Sequence, residues 1–405
     1  MAEPSPPGVV ATDVESAVLP SPRGHGDLLA ALRTRAAELG FSRLGIAAAD
    51  GRDPLVHDRF RAWLAAGLGG PVQRWLERHE PLRRQVAALL PDVRSVIMLA
   101  TDHPAAAPPA PPGRGRVASF AWGDDYHDLL RRRVNSLAEW VETRLPGCRT
   151  RGVVDSAPLA EREYAWLAGL GWFGKNTMLI DPRAGSHFLL TALLTTTALP
   201  TDDPVLVDHC GTCTACLDAC PTRAFVAPRV LDAARCISAL SIEERGMVPD
   251  ELRSGMGDWV FGCDECQRVC PWNRLAPGSS EPAFQPRDGE PTLDLVAVLR
   301  LDEEGFRIRF RGSPLLRAKR AGLLRSAAIA LGNLATPQDP LAAAIVAALT
   351  ESLDDASPLV RAASAWALGR WRAAGAADAS TALQSRIAHE SDPVVRAELV
   401  AASTL

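Results

Sequence analysis

The sequence has almost no lysine and no long apolar run. Only Lys175 and Lys319 among its 44 basic residues are lysines, so each stands out from an arginine-rich background. No segment has the roughly 18 consecutive apolar residues of a transmembrane helix, and the first residues lack the basic and apolar segments of an export signal. We therefore predict a cytoplasmic protein without membrane spans, with a disordered tail over residues 1–25.

A strong net charge is also missing. The net charge is −4 at pH 7, and 47% of the 405 residues are apolar. These values argue against global disorder and against a uniformly basic surface, so any polyanion must bind to a local patch. The length predicts two or three domains, each with its own core.

The nine cysteines are not spread as a disulfide framework would be. Eight of them fall within residues 210–270, and the ninth is Cys148. In a reducing compartment such crowding indicates metal ligation.

The first cysteine run, CGTCTACLDACP at residues 210–221, has the spacing C-x2-C-x2-C-x3-C-P. In this pattern three thiolates hold one four-iron cluster and the fourth binds a second cluster. A zinc site usually uses paired C-x2-C groups and gives no reason for the third step or the trailing proline. The second run, CDECQRVCP at residues 263–271, has the same ending but lacks its first cysteine.

Seven thiolates leave one ligand missing, and two cysteines can supply it. Cys236 lies between the runs, whereas Cys148 lies about sixty residues upstream in a turn. We favour Cys236 and interpret Cys148 as a free buried thiol. The predicted ligands are Cys210, Cys213, Cys216 and Cys270 for cluster 1, and Cys220, Cys236, Cys263 and Cys266 for cluster 2.

The predicted fold is α+β and multidomain. An α/β domain over residues 26–203 is indicated by apolar runs such as RSVIMLAT that alternate with amphipathic helices. A ferredoxin-like double-cluster domain follows over residues 204–278. Two clusters held by interleaved ligands form a short electron conductor, so the other domains are expected to hold the acceptor and the substrate.

The C-terminal region, residues 290–405, is predicted to be a HEAT-like α-solenoid. Arg325, Arg361 and Arg396 occur in similar alanine-rich segments, 36 and 35 residues apart. A period in the thirties with amphipathic helices is typical of such repeats. An ordinary helical bundle is the alternative.

Three segments together resemble the epoxyqueuosine reductase family. They are VVDSAPLAEREYAWLAGLGWFGKNTMLI at residues 153–180, CISALSIEERG at 236–246 and CDECQRVCPWN at 263–273. The resemblance implies reduction of epoxyqueuosine to queuosine at the wobble position of tRNA, with base-off cobalamin fed by two [4Fe-4S] clusters.

The resemblance also implies roles for single residues. Asp155 would be the proton donor, and the apolar flank in GVVDSAP is expected to raise its pKa. Without the resemblance, a turn or helix cap is the simpler interpretation of this residue. The family pattern places the following residues near cobalamin: Asp155, Ser156, Lys175, Asn176, Thr177 and Ser238. For Lys175 a solvated helix end is the alternative.

One cobalamin signature is incomplete. Asp125 and His127 begin the pattern D-x-H-x-x-G, but Leu130 occupies the glycine position within an amphipathic helix. We therefore expect His127 to be a surface or packing residue and not a cobalt ligand. Tyr126 is expected to line the substrate cavity.

A basic stripe is the predicted tRNA surface. Seven basic residues and no acidic ones occur between Arg307 and Arg325, and arginine pairs well with phosphate. The predicted contacts are Arg245, Arg317, Lys319 and Arg320. The alternative is an ordinary solvated helix face.

Two other functions fit parts of the pattern. A reductive dehalogenase also combines cobalamin with two clusters, but it would be expected to carry a twin-arginine signal. A non-catalytic electron-transfer protein would need no corrinoid. We favour the tRNA-modifying reductase, acting as a monomer and reduced by an external donor such as a flavodoxin or ferredoxin.

Overall fold

The structure is a computed structural model that describes residues 22–105, 110–336 and 338–404. Most of the predicted tail over residues 1–25 lies outside the described residues. Its last residues belong to the first helix, which begins at Pro22, so the predicted tail is too long by these residues. Among the described residues, no helix has both the length and the apolar character needed to cross a membrane.

The first region consists of a sheet with helices on both sides. Its elements are α1 (Pro22–Glu38), β1 (Arg43–Ala48), α2 (Pro54–Ala65), α3 (Gln73–Arg84), β2 (Ser95–Asp102), β3 (Arg114–Val117), α4 (Tyr126–Arg144), β4 (Thr150–Val153), α5 (Glu161–Leu167), β5 (Trp172–Phe173), β6 (Leu179–Ile180) and β7 (Phe188–Thr195).

The main sheet has the strand order β1-β2-β7-β4, and each neighbouring pair is antiparallel. The predicted alternation of strands and helices is present, but the strands do not form parallel β-α-β units. Alternate residues of β2 enter different cores: Val96 and Met98 face α5, whereas Ile97 and Leu99 face α1 and α4. Because both faces are covered, β2 reads in the sequence as an unbroken apolar run.

The cysteine region is built from short elements. These are α6 (Ala215–Asp218), β8 (Phe225–Ala227), β9 (Val230–Leu231), α7 (Ile237–Ile242), α8 (Asp250–Arg253), β10 (Trp259–Phe261) and α9 (Glu265–Arg268). Helices α6 and α9 contain one cysteine of each run, Cys216 and Cys266, and pack against each other.

The C-terminal region begins with a strand and continues as helices. Its elements are β11 (Thr292–Asp294), α10 (Leu295–Leu299), α11 (Glu303–Arg309), α12 (Lys319–Asn333), α13 (Ala342–Glu351), α14 (Pro358–Ala373), α15 (Ala377–Ile387) and α16 (Pro393–Thr404).

The helices α12, α14 and α16 stack as one layer and carry the three repeated arginines. Two equivalent glycines allow the close approach. A Cβ on Gly332 would lie 2.9 Å from the Cα of Ala367, and one on Gly369 would lie 2.9 Å from the Cα of Ala402. The same contact therefore recurs between helices of successive repeats, as a repeat architecture requires.

A small sheet connects the three regions. Its strand order is β10-β3-β11, so β3 of the first region pairs with one strand from the cysteine region and one that leads into the solenoid. Gly115 in β3 has no space for a side chain, because a Cβ would lie 2.5 Å from Leu295 and 2.7 Å from Val260. The boundaries predicted at residues 203 and 290 are thus crossed by shared hydrogen bonding.

Helix α12 also fixes the solenoid to the cysteine region. The guanidinium of Arg325 is buried and donates to the carbonyls of Leu240, Glu244 and Gly246 at 2.6, 2.9 and 2.7 Å. Burial lowers its pKa to about 10. Arg325 is therefore a structural residue and does not belong to an exposed basic surface.

Candidate active site and cysteine centre

The eight clustered cysteines are free thiols held on loops and short helices between Cys210 and Cys270. Burial, and then the neighbouring thiols of Cys270, Cys210 and Cys213, raise the pKa of Cys216 to about 11. Cys270 of the second run is therefore close enough to thiols of the first run for their charges to interact. This is the neighbourhood that the predicted cluster 1 requires.

The remaining four thiols form a second neighbourhood. Burial raises the pKa of Cys236, and Cys220 contributes to the same shift. Burial likewise raises the pKa of Cys263, with contributions from Cys266 and Cys236. Cys236 thus lies with the thiols of the predicted cluster 2. Cys148 lies elsewhere, with its Sγ 2.9 Å from the Oγ1 of Thr195 at the end of β7.

Lys175 and Asn176 contact the cysteine loops. The Nζ of Lys175 donates to the carbonyls of Gly211 at 2.7 Å and Cys213 at 3.0 Å. The Nδ2 of the buried Asn176 donates to the carbonyl of Cys266 at 3.3 Å. In the free chain these side chains position the loops, so their predicted cobalamin contact stays a prediction.

The other predicted cobalamin residues are dispersed. Ser156 is exposed next to Asp155. The carbonyl of Thr177 accepts a hydrogen bond from Arg162 at 3.2 Å. Ser238 lies in α7, two residues after Cys236, and its backbone partly offsets the rise that burial causes in the pKa of Cys236. For all three, cobalamin binding stays a prediction.

Asp155 lies in a turn directly after β4. Its φ of +47° is in the left-handed region, which a residue other than glycine rarely adopts. Its Oδ2 accepts a hydrogen bond from the hydroxyl of Tyr126 at 2.8 Å and lies 3.4 Å from the Nε2 of His127. The side chain remains 58% exposed, so it can still contact a ligand.

The protonation pattern differs from the one predicted. The hydrogen bond from His127, followed by the one from Tyr126, lowers the pKa of Asp155, although burial opposes this shift. Burial also opposes protonation of His127, but the hydrogen bonds to Asp125 and Asp155 raise its pKa to about 9. The expected rise in the pKa of Asp155 is thus wrong for the free chain, because two donors outweigh the apolar flank.

The sequence predicts that His127 is a surface or packing residue, and this prediction is wrong. His127 lies in the site, between Asp125 and Asp155. Its Nδ1 lies 2.7 Å from Asp125 Oδ1, and Asp125 also caps α4 by accepting the N–H of His127. The cap therefore directs the imidazole toward Asp155. The signal in the sequence was the capping aspartate at the start of an amphipathic helix.

Glu161 is a site residue that the sequence reasoning missed. Its Oε1 accepts the backbone N–H of Asp155 at 2.9 Å. Burial, and then the nearby Asp155 carboxylate, raise the pKa of Glu161 to about 8. A carboxyl that is neutral at physiological pH beside an ionised one is a pattern often found in acid–base sites.

Two cavities meet at this turn. The larger, about 540 Å³, borders α2 and α3, and the smaller, about 240 Å³, extends toward the cysteine centre. Both are lined by Asp155, Glu161 and Arg162. The larger also contacts Phe60 and Trp75. The smaller contacts Tyr126, Met178 and Gln267. Since Gln267 follows Cys266, the carboxylate lies between an open cavity and the cysteines.

Arg317 lies close enough to Asp155 for the two charges to interact. It is 65% exposed and pairs with Glu243 through its Nε at 2.9 Å and its Nη2 at 3.0 Å. Glu243 raises the pKa of Arg317, and Asp155 adds to this shift. Lys319 is exposed two residues further on. Arg245 donates to the carbonyls of Arg317 at 3.0 Å and Ala318 at 3.1 Å, which fixes this turn.

Arg320 does not fit its predicted role. Its side chain is only 11% exposed, pairs with Asp355 and donates to the carbonyl of Leu301 at 2.6 Å. These partners lie in loops between helices of the same C-terminal region. Arg320 therefore stabilises the repeat and is not free to contact phosphate.

Family models match three parts of the chain. "Epoxyqueuosine reductase QueG, DUF1730" matches residues 83–156, "4Fe-4S double cluster binding domain" matches 209–273 and "HEAT repeats" matches 314–403. A curated epoxyqueuosine reductase from Xanthomonas campestris is 40% identical over 361 residues, covering 88% of this chain and 99% of the relative. The chain belongs to the epoxyqueuosine reductase family.

Other epoxyqueuosine reductases are similarly close. The enzyme from Escherichia coli is 40% identical, covering 82% of this chain and 86% of the relative. A crystal structure of an epoxyqueuosine reductase with an epoxyqueuosine-modified tRNA stem loop is 30% identical with a TM-score of 0.85, covering 94% of this chain and 98% of that one. The Bacillus subtilis enzyme, solved with its catalytic loop swung out of the active site, is 29% identical with a TM-score of 0.84, covering 94% and 99%.

Membership in the epoxyqueuosine reductase family confirms several predictions. The chain is an oxidoreductase, which sets aside the dehalogenase and the non-catalytic electron-transfer alternatives. It has a double [4Fe-4S] domain and a HEAT-type repeat region, which also decides against an ordinary helical bundle.

The neighbourhoods of the thiols predict the outcome of two cysteine substitutions. Cys236→Ser should lower the iron content of the anaerobically purified chain from about eight toward about four per molecule, since a cluster needs four thiolates. Cys148→Ser is the matched control and should leave the iron content unchanged. If Cys148→Ser lost iron and Cys236→Ser did not, the assignment of the eighth ligand would be wrong.

Proposed function

We propose that this chain reduces epoxyqueuosine to queuosine at the wobble position of tRNA and that Asp155 delivers a proton to the departing oxygen. The observation that carries this proposal is the position of Asp155, in a turn between an open cavity and the cysteine centre, beside His127. The solved relative with an epoxyqueuosine-modified tRNA stem loop supports the same substrate for this chain.

The cofactor sites follow from the donor sets. Eight thiols crowded at the centre are the ligands that iron–sulfur clusters require. We assign Cys210, Cys213, Cys216 and Cys270 to one cluster and Cys220, Cys236, Cys263 and Cys266 to the other. For cobalamin, we assign the larger cavity, whose walls combine the aromatic side chains of Phe60, Trp75 and Phe173 with charged side chains that can bind polar groups of a cofactor.

Cobalamin would lie against the Asp155 turn and would contact Ser156 and Thr177. Lys175, Asn176 and Ser238 would lie near it on the side of the cysteine loops. When bound, the two clusters and cobalamin supply the low-potential electrons that epoxide reduction consumes.

Removal of the epoxide oxygen as water consumes two electrons and two protons. In the free chain Asp155 is ionised and His127, with a pKa of about 9, carries a proton at neutral pH. The 3.4 Å between His127 Nε2 and Asp155 Oδ2 lets the two side chains share that proton, so the pair is the proton store. The hydroxyl of Tyr126 holds the carboxylate in orientation.

The tRNA would approach across the turn that carries Arg317 and Lys319. Arg317 is exposed, lies near Asp155 and is held in place by Glu243. Arg245 supports the turn from behind. Phosphates near the wobble nucleotide would replace Glu243 as partners of Arg317. The reductant is an external electron carrier of the flavodoxin or ferredoxin type. The cytoplasmic location and the monomeric state stay predictions.

The function is tested by Asp155→Ala. This variant should keep its iron content and the visible absorbance of its clusters. Its turnover should fall by a factor of about 10² to 10⁴, because the general acid is gone. The assay measures queuosine formed from an epoxyqueuosine-containing tRNA stem loop by mass spectrometry. Asp128→Ala, an exposed site on α4, is the control. Normal turnover by Asp155→Ala would refute the acid role.

The pH dependence follows from His127. Because its pKa is raised from 6.5 to about 9, the stabilisation of the protonated form is complete below about pH 6.5 and is lost as pH rises through about 9. We expect kcat/KM to fall above about pH 9. Asp125→Asn should lower the pH at which kcat/KM falls by about one unit, whereas Asp128→Asn should leave it unchanged. If the fall in kcat/KM occurred at the same pH in Asp125→Asn as in the wild type, His127 and Asp155 would not be the proton store.

The tRNA surface is tested by Arg317→Ala. The Kd for tRNA should rise, and the slope of log Kd against log salt concentration should decrease by about 1, as for one lost phosphate contact. Arg300→Ala is a matched control, since Arg300 is 52% exposed and also pairs with a glutamate, Glu351. Equal effects of the two variants would argue against a specific contact.

A further inference from the structure

The Asp155 turn has a strained backbone, and the contacts from Tyr126 and His127 hold only its side chain. Its φ of +47° is unfavourable for aspartate, and the side chains of Asp155 and Ser156 are both exposed. The chain is anchored on either side, by the buried Val154 before the turn and the buried Leu159 after it. Between these anchors, something has to hold the backbone in the left-handed conformation.

Glu161 makes that contact. Its Oε1 accepts the N–H of Asp155 at 2.9 Å, from the first turn of α5. The helix is itself well fixed, because Glu163 is buried in an ion pair with Arg52 and Tyr164 donates to the carbonyl of Ala49 at 2.7 Å. Glu161 therefore connects a strained turn to a rigid element.

We propose that Glu161 is a positioning residue that holds the Asp155 turn in its left-handed conformation and so keeps the carboxylate of Asp155 between the two cavities. The inference rests on the proposed role of Asp155 as proton donor. It adds a residue that does not touch the reacting atoms and acts through the backbone of the donor.

The charges around Glu161 fit this role. The groups that face it are Asp155, Arg83 and Arg162, and its pKa of about 8 keeps it mainly neutral at physiological pH. A neutral carboxyl accepts the N–H through its carbonyl oxygen and adds no second negative charge beside Asp155. The contact can therefore hold the turn without repelling the carboxylate that it positions.

The experiment compares Glu161→Ala with Glu161→Gln in the full chain. Glutamine keeps an acceptor oxygen and cannot ionise, whereas alanine removes the acceptor. Hydrogen exchange of the Asp155 amide should become about tenfold faster in E161A and stay within about twofold of wild type in E161Q. In parallel, kcat should fall about tenfold in E161A with the KM for tRNA little changed, and E161Q should restore it.

Glu142→Ala is the matched control. Glu142 accepts the backbone N–H of Thr150 at 2.8 Å, at the other end of β4. E142A should speed exchange at Thr150 and leave Asp155 unaffected. Iron content, measured for each variant, reports whether the fold is intact.

Two results would overturn the proposal. One is unchanged exchange of the Asp155 amide in E161A. The other is a loss in E161Q as large as in E161A, since the side chain would then act by its proton and not as an acceptor. Because exchange is measured without turnover, it decides the role of Glu161 even if Asp155→Ala proves fully active and the proposed acid role fails.

Discussion

In the proposed ligand sets, Cys220 and Cys270 each end one cysteine run but belong with thiols of the other run, so neither set closes until the two runs pack together. The packing of α6 against α9 meets this requirement. Neighbouring regions then fix the loops: Lys175 and Asn176 bind their carbonyls from the first region, and Arg325 binds the segment after Cys236 from the solenoid. The position of Asp155 beside the smaller cavity depends on the same packing.

The site separates charge by arranging unlike environments a few ångströms apart. Asp155 receives two hydrogen bonds and is ionised, whereas Glu161 on the other side of the turn is largely neutral. His127 takes the proton that Asp155 gives up because Asp125 stabilises its charge from behind. Protons are thus stored in neighbours of the donor, and one backbone hydrogen bond keeps that donor in reach of them.

Much of this could be predicted from the sequence, because the patterns involved are local. The cysteine spacing, the strand-length apolar run of β2 and the period of the repeat arginines all report on residues within one segment. The predictions that were wrong concern residues whose partners come from distant segments. Arg320 belongs to the predicted basic stripe but is buried against Asp355. Arg325 belongs to the same stripe but is buried against carbonyls of the segment after Cys236. The pKa of Asp155 likewise depends on Tyr126 and His127, about thirty residues upstream.

The three-stranded sheet β10-β3-β11 gives the chain a mechanical property that its modular sequence conceals. Strand β3 has a partner from the cysteine region on one edge and from the start of the solenoid on the other. If either partner were removed, β3 would be left with an unpaired edge, and the space that Val260 and Leu295 fill around Gly115 would be opened. The chain is therefore not a string of separable modules: its electron-carrying centre and its repeat region share one folded core with the domain that bears Asp155.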